Sequence, residues 1–162
     1  MRINVKKLNL LVGGLFLAAA LSNCSKDKAE PIDTTYPEIN TDSPTAFPKQ
    51  CGVLKRGEKF SFKALLSDNK ELGSVSVDIH HNFDHHTHST ELQECDMAPV
   101  KQAVKPFLLI KNIAIPAGLK SYELNTEIDV PADIDPGDYH FMIRLTDKEG
   151  WQTIKGLSIK IN

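Results

Sequence analysis

From about Pro37 onward, apolar and polar residues alternate along the chain with the two-residue period of strands that bury one face. Phe60, Phe62 and Ala64 alternate with Ser61 and Lys63. After an Asp68-Asn69 turn, Val75, Val77 and Ile79 alternate with Ser76, Asp78 and His80. Phe107 to Ile115 is more continuously apolar, and Tyr122 to Val130 alternates again. The chain closes with Tyr139, Phe141, Ile143 and Leu145, an Asp147-Lys148-Glu149-Gly150 turn, and a last run from Trp151 to Ile161. Pro, Gly, Asn and Asp punctuate these runs, and no ten-residue stretch keeps a helical period. The pattern predicts an all-β domain over residues 37–162 with about seven strands.

That many short strands must close a core between two sheets, which makes an antiparallel β-sandwich the expected architecture. Ile134-Asp135-Pro136-Gly137-Asp138-Tyr139 has the form of a tyrosine corner entering the sixth strand of an immunoglobulin-like domain. In that frame His140 lies on the solvent side of its strand, opposite to Tyr139 and Phe141, and is expected to be a surface residue rather than a ligand.

The first residues follow a different rule. Arg2, Lys6 and Lys7 precede an apolar stretch from Leu8 to Leu21, the length of a signal-peptide core and short of the roughly 20 apolar residues that span a bilayer. Leu21-Ser22-Asn23-Cys24 resembles the lipobox of bacterial lipoproteins, with Asn23 where Gly, Ala or Ser is usual. The resemblance implies cleavage after residue 23 and acylation of Cys24, which holds a bacterial lipoprotein to the membrane by lipid. Ser25-Lys26-Asp27-Lys28 partly resembles the charged signals that send some such lipoproteins to the outer membrane. Residues 24–36, charged and polar with Pro31 and no apolar period, read as a flexible tether. Losing residues 1–23 removes three basic and no acidic groups, leaving 16 basic against 21 acidic residues. A mildly acidic surface of mixed charge excludes the electrostatic footprint of a nucleic-acid binder.

With Cys24 acylated, Cys51 and Cys95 are the two cysteines left in an exported chain, and a disulfide between them is the simplest expectation. The competing reading makes Cys95 a soft metal ligand, with Asp96 and Met97 beside it.

Candidate chemistry gathers in one place. Five of the six histidines fall in His80-His81-Asn82-Phe83-Asp84-His85-His86-Thr87-His88. Asn82 and Asp84 favour a bend after the strand, which puts the later histidines in a loop. His86 and His88, two apart in extended chain, share a side, and His80 can reach them across the bend. We therefore expect a divalent-metal site from His80, His86 and His88 with Asp84 as an oxygen donor and His81 and His85 as secondary candidates. Zinc or copper suits such a donor set, and nickel accepts similar ligands. The alternative is a solvated polar loop with His81 and Phe83 packed inward. Glu91 and Glu94 could add carboxylates.

The segments Ser76-Val77-Asp78-Ile79-His80, Asn82 to His88, Pro136-Gly137-Asp138-Tyr139-His140-Phe141 and Leu145-Thr146-Asp147-Lys148-Glu149-Gly150 together resemble a bacterial lipoprotein family known as domain of unknown function 4625. The resemblance covers roughly Pro37 to Asn162 and implies an immunoglobulin-like sandwich on a lipid anchor, with no activity attached. The sequence carries no Gly-x-Ser-x-Gly elbow, phosphate loop, dinucleotide fingerprint or His-Glu-x-x-His helix. A non-enzymatic binding module of the cell envelope is the expectation. Two alternatives stand beside it: an adhesion or glycan-associated accessory protein that contacts an envelope protein or glycan, and a metal-dependent enzyme. Trp151 and Tyr122 could form a sugar-stacking platform, although a tryptophan after such a turn more commonly packs.

Overall fold

The computed structural model of the chain describes residues 31–88 and 95–162. The lipobox, Cys24, Glu91 and Glu94 lie outside the described residues. The eight strands among the described residues belong to the compact unit Asp33–Asn162. They are β1 (Glu38–Asn40), β2 (Gly52–Leu54), β3 (Lys59–Ser67), β4 (Leu72–His81), β5 (Leu109–Ala114), β6 (Ser121–Asp129), β7 (Gly137–Asp147) and β8 (Gln152–Ile161). No helix occurs among the described residues.

The strands form two sheets, one of order β1-β3-β6 and one of order β2-β8-β7-β4-β5. The alternation read from the sequence sets the faces. Phe62, Leu66, Leu124 and Ile128 from the smaller sheet meet Val77, Ile79, Phe141, Ile143 and Ile159 from the larger in one buried cluster. The rings of Phe62 and Phe141 touch across the two layers with centroids 4.9 Å apart. Two short strands, β1 and β2, raise the total above seven. One pairing departs from the antiparallel rule, since β2 runs parallel to β8 with Gly52 opposite Ile159. Within the continuously apolar run from Phe107 to Ile115, Leu109–Ala114 forms the edge strand β5, on which Ile110 is exposed.

The corner at Tyr139 is present. Its hydroxyl donates to the carbonyl of Asp135 at 2.6 Å and accepts the Phe107 amide at 3.2 Å. The ring is fully buried, and burial, followed by the nearby Asp135 charge, raises the phenol's pKa despite the opposing Phe107 hydrogen bond. A raised native pKa means that the fold holds this proton more tightly than the unfolded chain does. The corresponding stability is complete below about pH 10 and is lost as pH rises through the native value. Tyr139→Phe is expected to cost about 1–2 kcal/mol in urea unfolding at pH 7, because it leaves the Phe107 amide without its buried acceptor. The same substitution should remove part of the alkaline loss of stability. Equal alkaline sensitivity in the two proteins would show that another group governs it.

In the larger sheet β4 lies between β5 and β7, and β7 between β4 and β8. His80 is the register partner of His140 on β7, and His81 that of Tyr139. The outer face of the sheet at this end is where the histidine loop folds back.

Candidate metal centre

After His81 the chain leaves β4 and turns over the outer face of the sheet. Two devices set the turn. Phe83 is buried against Tyr139, with ring centroids 5.3 Å apart, and anchors the loop. Gly137, at φ 134°, makes room for it, since a Cβ there would stand 3.0 Å from Phe83 Cε1. The returning segment then braces the loop. Lys101 N–H donates to the Phe83 carbonyl at 3.0 Å, and Ala98 N–H to Asp138 Oδ2 at 2.7 Å. His85, with φ 58°, turns away and donates from Nε2 to the Ala98 carbonyl at 2.9 Å.

This fold-back brings His80, His86, His88 and His140 together, each with one ring nitrogen, and all four nitrogens lie within 4.8 Å of one another. His80 Nε2 and His88 Nε2 are 3.1 Å apart. Two nitrogens on a tetrahedral zinc at 2.0–2.1 Å stand about 3.3 Å apart, so this edge already has the required spacing.

Carboxylates orient two of the rings. His80 Nδ1 is 2.8 Å from Asp78 Oδ1, and His86 Nδ1 is 2.6 Å from Asp84 Oδ1. With Nδ1 committed to a carboxylate, the basic nitrogen of each neutral ring is Nε2, the arrangement that fixes tautomer and direction in metal-bound histidines. The hydrogen bond from His86 also holds the Asp84 carboxyl below the usual carboxylate range, against desolvation. Asp84 therefore stays ionised at neutral pH. The structure places it behind His86 and not among the four converging nitrogens.

His140 is where the sequence reading fails. It points away from the core as the alternation requires, but it is not a surface residue: its relative exposure is 0%. The histidine loop covers it, and its Nε2 donates to the His86 carbonyl at 3.2 Å. Strand periodicity assigns a side chain to a face and carries no information about what crosses that face. The register partnership with His80 would have been the one available signal. His81 packs beside Phe83 with ring centroids 4.9 Å apart, and its buried Nδ1 has no hydrogen-bond partner. His81 and His85 both stand outside the four-nitrogen group.

The alternative built on Cys95 does not hold, because Cys51 and Cys95 form a disulfide across 44 residues. Met97 Sδ accepts from Asn82 Nδ2 at 3.7 Å. Trp151 pairs with Tyr36 and not with Tyr122, at a centroid distance of 4.9 Å, and its indole N–H donates to the Asp33 carbonyl at 2.8 Å. A surface groove of about 410 Å³ starts at His80 and His88 and runs past Ile110, Arg144 and Ile154 on the outer sheet face.

A two-sheet β-sandwich with a histidine cluster under a folded-back loop defines the class of protein. The chain belongs to the family described as a domain of unknown function, DUF4625, which matches residues 22–162. No curated protein matches it. Among solved structures it is similar to the GspB Siglec domain at 19% identity and TM-score 0.43, over 80% of this chain and 59% of that one. It is also similar to a Niemann-Pick type C2 protein from Japanese carpenter ant, at 13% identity and TM-score 0.43, over 79% of this chain and 90% of that one. A third similarity is to Spo0M, a sporulation control protein from Bacillus subtilis, at 7% identity and TM-score 0.40, over 78% of this chain and 49% of that one. The chain thus spans less than two thirds of the length of two of these three.

Proposed function

We propose that this chain is a lipid-anchored, immunoglobulin-like binding module of the bacterial outer membrane whose histidine centre takes one zinc or copper ion. The observation that carries the reading is the convergence of four imidazole nitrogens within 4.8 Å of one another, with Asp78 and Asp84 fixing the orientation of two of the rings. Four protein nitrogens fill a tetrahedral or tetragonal ion, and a closed set of ligands suits holding a metal better than activating water on it. Binding, and not catalysis, is therefore the role we assign. The anchor is Cys24, acylated after cleavage of residues 1–23, with the residues before Asp33 as tether, because Asp33 and Tyr36 are held by Trp151.

Elemental analysis and calorimetric titration of the protein purified without a histidine tag test this reading. One tight equivalent of zinc or copper at neutral pH is expected, and His86→Ala combined with His88→Ala should remove it. Weak, multi-equivalent binding that survives the double substitution would reduce the centre to a polar loop. The exposed Ile110 and Ile154 beside the groove favour a second reading, in which this face docks an envelope protein or glycan without a metal. That outcome would make the second reading the better one.

A further inference from the structure

At the other end of the larger sheet, four carboxylates meet. Asp33 precedes β1, Asp68 follows β3, Asp147 ends β7 and Glu149 lies in the turn to β8. Each brings an oxygen to a group whose members all lie within 4.8 Å of one another. Asp147 lies seven positions after His140 on β7, about 23 Å of extended strand, so this cluster is distinct from the histidine centre.

Acidic groups often cluster at turns without consequence, but three of these carboxylates share an unusual division of labour. One oxygen of each is saturated by the local chain. Asp33 Oδ1 accepts from Thr35 N–H and the Asn69 side-chain amide, both at 3.0 Å. Asp68 Oδ2 accepts from the amides of Lys70 and Glu71 at 2.7 and 2.8 Å. Asp147 Oδ1 accepts from those of Gly150 and Trp151 at 2.6 and 2.7 Å. The second oxygen of each, Asp33 Oδ2, Asp68 Oδ1 and Asp147 Oδ2, is buried with no hydrogen-bond partner. Asp33 and Asp147 are only 6% and 3% exposed.

Buried carboxylate oxygens left without a donor are rare, because each forfeits its hydration. Here three occur together, on side chains already oriented by their other oxygen. The Thr35 amide, then Asn69 and, more weakly, Lys70 hold the Asp33 carboxyl below the usual carboxylate range against desolvation, so it is ionised at neutral pH. The nearby Lys70 ammonium stands 3.9 Å from Glu149 Oε1.

We propose that Asp33, Asp68, Asp147 and Glu149 form a second metal site, for a hard divalent cation of calcium's size. Calcium takes 6–8 oxygens at 2.3–2.6 Å, so oxygens on opposite sides of it stand about 4.6–5.2 Å apart. All oxygens of this group lie within 4.8 Å of one another, inside the span that one calcium ion bridges. Magnesium usually keeps several waters and is bound through one or two carboxylates, so four carboxylates favour calcium. The ion would tie the segment entering β1 to the β3–β4 and β7–β8 turns.

Trp151 makes the site directly observable. It is the only tryptophan, and its indole is hydrogen-bonded to the backbone of Asp33 itself. Terbium, an oxygen-seeking stand-in for calcium, should show tryptophan-sensitised luminescence at one equivalent on the full chain, and calcium should displace it. The His86→Ala, His88→Ala double variant should keep the signal, so failure of the histidine reading and of this one are separable. Asp147→Asn retains the oxygen that accepts from Gly150 and Trp151 and replaces only the orphaned one with an amide. It is expected to weaken calcium about tenfold or more. Asp68→Asn follows the same logic and serves if the first variant does not fold. Absent sensitised emission, emission that calcium does not displace, or unchanged calcium affinity in a folded variant would overturn the proposal and leave Lys70 as the cluster's counter-charge.

Discussion

His140→Ala is expected to abolish the tight zinc or copper equivalent, with a loss of affinity above about 100-fold. The reasoning compares ligands with their supports. Losing an outer partner of a metal-bound histidine typically costs 10–100-fold, so losing a ligand should cost more. His140 is the one member of the group that is fully buried. It is fixed by β7 on one side and by the His86 carbonyl on the other, so a neighbouring side chain cannot easily replace it. Asp84→Ala, which frees His86 Nδ1, should fall in the 10–100-fold range. His140→Gln, closer in volume, guards against a change that merely disturbs the central strand, and urea unfolding of each variant checks the fold. If His140→Gln binds like the parent, the ion is held by the loop histidines alone and His140 is a packing residue.

The second large effect concerns the disulfide. Replacing Cys51 and Cys95 together by alanine should lower stability by about 4 kcal/mol, the chain-entropy value for a loop of this length, given the separation of 44 residues. The bond also has a local task. Cys95 starts the segment whose Ala98 is held by Asp138 and His85 and whose Lys101 is held by Phe83. The same double variant should therefore bind zinc less tightly than the parent even where it remains folded. A midpoint change in urea equivalent to less than about 1 kcal/mol would show that the packing of β2 on β8 does this work without the bond.

The fold was legible because period-two alternation is imposed by a two-layer core, and Phe62, Val77, Ile79, Phe141 and Ile143 all face inward as that period requires. The disulfide was legible from counting cysteines, on the expectation that Cys24 carries lipid and leaves Cys51 and Cys95 to pair. The histidine loop was legible as a location, since five imidazoles in nine residues are conspicuous. Its fourth member was not, because His140 is covered by a loop that crosses the sheet, which alternation does not register. Asp33 was missed for a related reason. It lies in a polar stretch with no apolar period, and its partners at 68, 147 and 149 read as ordinary turn formers. Only the pairing of distant turns brings them together. Asp84 was found, but its task as a support for His86 depends on a ring direction that spacing does not specify.

The register of β4 against β7 has one more consequence. His80, His86 and His88 lie within nine residues and stay close together even when the chain is unfolded, whereas His140 comes 60 positions after His80 and joins them only once the ladder has zipped. An ion held by this centre would therefore find three of its four ligands in the denatured chain as well. What it adds to folding is the difference between its affinities for the two states, not its full native affinity. Raising the ion concentration would lift the unfolding temperature at first. The rise would then level off once the denatured chain is loaded too, at a plateau set by what the single late-arriving imidazole contributes.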